Sequence, residues 1–163
     1  MRGVSRLTSL GGLQMTAAAA SLCASLLTPL TSAVGGRAAA PVAPLPPAAL
    51  VFVHDINVSR VAAGLRPLKV SADLSNVANR WAATLAKNGA LSHNPALGSA
   101  IKNWTGLAEN VGMGQTVPQL HAAFMHSAPH RANILAPIYS QIGVGVVVVD
   151  HELYVVEDFR RPA

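Results

Sequence analysis

The sequence predicts an α+β fold, a layered domain with helices first and strands last. Apolar residues recur at helical spacing through the first half of the domain. Two runs rich in β-branched residues then end the chain, IGVGVVVV over 142–149 and LYVVEDF over 153–159. With 163 residues, 51% hydrophobic and 12% charged, the chain suits one compact domain preceded by an additional apolar segment.

That segment comes first. Arg2 and Arg6 precede a stretch without charge until Arg37, and its centre over 16–30 is rich in Ala and Leu. Small residues follow at Thr31-Ser32-Ala33 and Ala38-Ala39-Ala40, so residues 1–40 read as a secretory signal peptide cleaved after Ala33 or Ala40. The rival reading is an uncleaved anchor, since the uncharged run approaches the roughly 20 residues needed to span a bilayer. Pro29 and the modest hydrophobicity of Ala weigh against it, and no stable transmembrane anchor is expected after cleavage. Cys23 follows Leu22, where a lipoprotein signal requires a small residue. Without the leader no cysteine remains, so a secreted, extracellular domain has to stand on its core without disulfides.

Residues 34–47 (VGGRAAAPVAPLPP) have the composition of a tether; 41–47 form the linker and 48–163 the folded domain. A first helix follows, with Leu50, Val53, Val61 and Leu65 in a roughly helical rhythm and Gly64 as its stop. Pro67 disfavours helix at Arg66, which makes 65–68 extended. A second helix is expected over 72–88, with Ser71 as N-cap, Asp73 near its positive end and Gly89 closing it. Leu74, Val77, Ala78, Trp81 and Leu85 form its buried face. Thr116 as N-cap and Pro118 in the first turn open a third helix ending near 125 or 126. The two terminal runs flank Asp150-His151-Glu152 and read as an antiparallel hairpin. The first of them is too apolar to face water on either side.

Charge excludes one class of function. The chain has 12 Lys and Arg against 7 Asp and Glu, but Arg2, Arg6 and Arg37 lie in the leader or tether, so 9 against 7 leaves +2. No basic stripe with interleaved aromatics accompanies it, and nucleic acid is not an expected partner.

Three short segments carry chemistry: LSHNP around His93, AENVG around Glu109 and SAPHRANIL around His130. Imidazole nitrogen and carboxylate oxygen suit Zn²⁺ or another divalent cation, and His93, His130 and Glu109 are the candidate ligands. With an open fourth position, such a set lowers the pKa of bound water towards about 7 and makes Glu109 the candidate catalytic group. Two other arrangements stay open. Glu109 can orient one imidazole from behind, leaving a weak two-histidine site, or the three residues can form a hydrogen-bonded polar cluster without metal.

Other residues read as structural. His126 and His130 are four apart, yet Pro129 interrupts a continuous helix, so they do not share a face. His126 is expected at the surface or rim, His121 and His151 in solvent, and His54 packed or exposed. Ser92 and Ser127 neighbour histidines in sequence, but no G-x-S-x-G elbow is present, and adjacency is not the geometry of a nucleophile and its base. Gly112-x-Gly114 reads as a turn after the AENV segment, and Trp104 as core. Arg131 and Asn133 read as braces, Ile134 and Leu135 as core.

The wording and order of these segments resemble the CAP superfamily, the SCP or cysteine-rich secretory protein-type domain, in a small cysteine-free bacterial form. Asn57 and Arg60 fill an N-x-x-R phrase ahead of a Gly-Leu-x-x-Leu connection. SHNP, AEN, HRANIL, Gly143-x-Gly145 and YVVEDF follow in family order, so the likeness runs from about 50 to 159. The resemblance implies a three-layer α-β-α sandwich with a central, mainly antiparallel sheet and a cleft holding two His and two Glu. His93, Glu109 and His130 match three of those positions, while the fourth falls on Ser127 and puts in doubt any mechanism needing two carboxylates. It implies a secreted binding or interaction module for a lipid or sterol-like ligand or a cell-envelope component. The alternative is a metal-assisted extracellular hydrolase.

Overall fold

The computed structural model describes residues 46–163; the leader and most of the linker read from the sequence lie outside them. The elements in chain order are α1 (Pro47–Ala62), β1 (Lys69–Val70), α2 (Ala72–Asn88), α3 (Leu97–Ala100), β2 (Trp104–Gly114), α4 (Val117–His126), α5 (Ala128–Ile134), β3 (Gln141–Val149) and β4 (Glu152–Pro162). The sheet order is β1-β3-β4-β2, parallel between β1 and β3 and antiparallel elsewhere. The α+β sandwich expected from the sequence is the fold observed.

Alternation along β3 builds the two layers. Ile142, Val144 and Val146 point to one face, where they meet Phe52 and Ile56 of α1, Leu120 and Phe124 of α4 and Ile134 of α5. The other face of β3 at these positions is Gly143 and Gly145. A Cβ on Gly143 would stand 2.3 Å from the backbone of Leu74 and Ser75, and one on Gly145 2.2 Å from that of Ala78. Helix α2 therefore rests on bare strand backbone, while its Ala78, Ala82 and Leu85 pack against Tyr154 and Val156 of β4. Leu74 and Val77 close a further cluster with Leu97 and Ile101.

Two side chains of α1 tie down the connections. Asn57 donates from Nδ2 to Leu68 O (3.1 Å) and accepts from Leu68 N (2.7 Å), so one amide replaces a strand partner. Arg60, 2% exposed, donates to four carbonyls: Arg66 O (3.0 Å), Ile134 O (2.7 Å), Ala136 O (2.9 Å) and Tyr139 O (3.3 Å). Burial lowers its pKa. The carbonyl dipoles stabilise the cation in place of a carboxylate and join the end of α5 to the end of α1.

Helix α2 has the expected bounds, but Ser71 does not cap it through its side chain. Its hydroxyl bonds Asp73 Oδ1 and accepts from Arg160 Nη2 (2.9 Å), because Asp73 is drawn into an ion pair with Arg160 at 2.7 Å. Thr116 does cap α4, accepting from Gln119 N at 3.4 Å. Gly112 and Gly114, read as a turn, lie inside β2, where the missing side chains admit Phe124 and Leu120 of α4. Trp104, read as core, is 41% exposed at the start of this edge strand. No described helix is long and apolar enough to cross a membrane.

Replacing Gly143 by Ala is expected to lower stability by about 1–3 kcal/mol, the usual range for overpacking a rigid contact. Urea unfolding of the variant beside wild type measures this directly. An unchanged midpoint would mean that α2 can lift from the sheet.

Candidate functional site

The site forms around edge strand β2, whose adjacent residues Glu109 and Asn110 point to opposite faces. Each face receives one histidine. His93 lies in the loop between α2 and α3, which leaves α2 through Gly89 at φ 60°. Trp81 Nε1 holds this loop by donating to Ser92 O at 2.9 Å, and Asn94 N donates to Glu109 Oε1 at 2.8 Å. His93 Nδ1 lies 2.8 Å from the same oxygen. The imidazole is 68% exposed and the carboxyl 5%, so a buried acid holds a ring that faces solvent. With Glu109 accepting, Nδ1 carries the proton and Nε2 is left as the outward acceptor.

His130 arrives from the other side on α5. Pro129 ends α4 at Ser127 and also begins the next helix, since proline is well placed in a first helical turn. His130 Nδ1 lies 2.7 Å from Ser127 Oγ, and its ring packs on Phe124 with centroids 4.9 Å apart. Burial, and then the nearness of His93, lower its pKa, which favours the neutral imidazole near neutral pH. Under it runs an amide relay. Asn133 Nδ2 donates to Asn110 Oδ1 (2.9 Å), and Asn110 Nδ2 donates to His130 O (3.2 Å) and Glu157 Oε2 (2.9 Å).

The ladder explains why these groups meet. Glu109 stands opposite Asp158 and Asn110 opposite Glu157, so two successive pairs place one carboxyl of β4 on each face. Both of those carboxyls are fully buried. Burial pushes Glu157 up to about 8 against the hydrogen bond from Asn110. It also pushes Asp158 up to about 8, helped by the charge of Glu109 opposite it.

The structure thus brings His93, Glu109, Ser127 and His130 into one region and leaves other candidates outside it. His126 is exposed on α4, its Nδ1 2.7 Å from Ala122 O; His54 is exposed, and His151 occupies the hairpin turn at φ 65°. His121 departs from expectation: it is half-buried with Nε2 2.8 Å from Ser59 Oγ, because α4 packs against α1. Asn110, Glu157 and Asp158 were missed. Their one signal in sequence is two consecutive acids inside the otherwise apolar run over 153–159.

For a metal ion the donor set is thin. Glu109 Oε1 is engaged by His93 and Asn94, and both Nδ1 atoms have partners, which leaves the two Nε2 atoms and the buried Glu109 Oε2. Among the described residues, no three His, Cys, Asp or Glu side chains are grouped to hold an ion. The contact between Glu109 and His93 is one that both the orienting arrangement and the polar cluster contain.

Fold and site together define an α-β-α sandwich domain that brings two histidines to its edge strand β2. Residues 53–159 match the family model described as the cysteine-rich secretory protein family, CAP, and the chain belongs to that family. The uncharacterized protein YkwD of Bacillus subtilis is 32% identical over 100 residues, covering 56% of this chain. The chain spans only 39% of that relative's length. A cysteine-rich secretory protein from Staphylococcus aureus shares 28% identity at a TM-score of 0.54, covering 74% of this chain and 41% of its own. An outer surface protein from Borrelia burgdorferi has the same fold at 17% identity and a TM-score of 0.65, covering 70% of this chain and 92% of its own.

Two buried acids set an expected pH response. Below about pH 4 both folded and unfolded chains hold these protons, and no penalty applies. Between there and about pH 8 the folded protein keeps protons that the unfolded chain releases, so ionisation favours unfolding and stability falls as pH rises. Glu157→Gln keeps a partner for Asn110 and removes one of the two ionisations. Its advantage over wild type in urea midpoint should therefore grow from pH 5 to pH 8.5; a constant difference would contradict the assignment.

Proposed function

We propose that this protein is exported and acts outside the cell as a binding module, taking a polar group of a cell-envelope component between His93 and His130. One observation carries this reading: each imidazole is held through Nδ1, His93 by Glu109 and His130 by Ser127, which leaves both Nε2 atoms without a protein partner. A site so arranged is preorganised to recognise a ligand. The extracellular family and the apolar leader over 16–30 support export.

A second reading, an apolar lipid or sterol-like ligand, has its own support. Helix α1 exposes Val58 and Val61, which with His54, Asn57 and Ala62 line an open depression of about 470 Å³. Metal-assisted hydrolysis would require the Nε2 pair to hold an ion with solvent as the remaining ligands.

Sedimentation with isolated envelope fragments separates these readings, using protein without residues 1–40 and its His93→Ala/His130→Ala variant. Binding should weaken at least tenfold in the variant while the thermal midpoint stays the same. Undiminished binding would move the interaction to another surface such as α1. Zinc-dependent ester or amide hydrolysis lost in the variant would place the protein among hydrolases.

A further inference from the structure

Three buried oxygen atoms at the base of the cleft lack a partner: Glu109 Oε2 and both carboxyl oxygens of Asp158. They belong to residues directly opposite each other on β2 and β4, on the same face of the sheet. Among the described residues neither has a Lys or Arg paired with it. On β3 the residue opposite Asp158 is Gly143, which offers no side chain and is covered by Leu74 and Ser75 of α2. Arg160, two residues on and on the same face, is engaged by Asp73, Ser71, Gln141 and Lys102 O. The one remaining titratable neighbour, His93, binds the other oxygen of Glu109.

Two carboxylates side by side in such a place would repel and leave every one of these oxygens desolvated. A single proton removes most of that cost. We propose that Asp158 is the second carboxyl group of this cleft, held as the acid and donating its hydroxyl to Glu109 Oε2. Asp158 is then a positioning residue that acts on His93 through Glu109. With that proton in place Glu109 accepts from His93 Nδ1 and Asn94 N at Oε1 and from Asp158 at Oε2. Its plane is fixed, and with it the tautomer that turns His93 Nε2 outward. Only one oxygen of Asp158 stays unpaired, and a neutral carboxyl oxygen is a weaker acceptor than a carboxylate. A second carboxyl thus reaches the site from β4, not from position 127.

The inference concerns the site of the proposed function but requires no ligand, so it is tested in the free protein and can fail or succeed independently. The measurement is the Asp158 carboxyl ¹³C shift in the full chain, with a chelator present, from pH 5 to 9. The acid-form shift at pH 6.5 is the expected result; a carboxylate shift there overturns the proposal. Asp158→Asn keeps a donor of the same shape and should preserve the His93 ring ¹⁵N shifts and tautomer. Asp158→Ala removes the donor and should mix the tautomers. If Asn disturbs His93 as much as Ala does, or if neither disturbs it, Asp158 does not position His93.

Discussion

The cleft depends on the register of the ladder between β2 and β4. A slip of one residue would send Glu109 to the face of α4 and α5 and Asn110 to the face of α2, dismantling both halves of the site together. The ladder is held in place by what surrounds it. Ala108 faces Phe159 and Val111 faces Val156, apolar pairs on either side of the polar ones. At Gly112 the ring of Phe124 occupies the space where a Cβ would stand 2.7 Å from Cζ. That contact lets α4 lie close to the edge strand, and α5 follows it at once with His130.

Each layer delivers one histidine by a separate mechanical route. On one face, Gly143 and Gly145 let α2 settle on β3, and this sets the height at which the chain leaves through Gly89 towards His93. Trp81, on that same helix, then fastens the loop at Ser92. On the other face, Arg60 grips Ile134 O and Ala136 O and so holds the end of α5. The two imidazoles are therefore held at β2 without depending on each other for support. Loss of either support would displace one ring and leave the other, which is how a cleft assembled from three segments can remain rigid.

The parts of this design that are legible in sequence are those with a local cause. Helix α2 shows a full apolar face and a glycine stop, and the terminal hairpin shows two β-branched runs around a polar turn. His93, Glu109 and His130 stand in recognisable phrases. Strand β2 is hidden because LAENVGMG places two polar residues and two glycines where a strand usually has packing side chains. Only its partners account for them: β4 carboxyls for the polar residues, α4 side chains for the glycines. Pro129 ends α4 as its sequence context implies, but the same residue starts α5, and sequence alone does not distinguish a break between helices from a loop. His121 has the sequence surroundings of a solvated residue because nothing local shows that Ser59, 62 positions earlier, packs against it. Asp158 and Glu157 show only as two acids in an apolar run, since a strand covered on both faces gives alternation no outward side.

Burying those two acids also alters the protein as its surroundings meet it. Over the described residues nine Lys and Arg stand against seven Asp and Glu, a formal +2. With Glu157 and Asp158 uncharged below about pH 8, the balance is nine against five, or +4. The excess is carried by exposed side chains such as Arg66, Lys69, Arg80 and Lys87, while the missing negative charge is deep in the sheet. A surface of this kind is drawn to anionic material over roughly a Debye length, about 8 Å at physiological ionic strength. The same buried carboxyls that build the cleft thus raise the domain's effective positive charge.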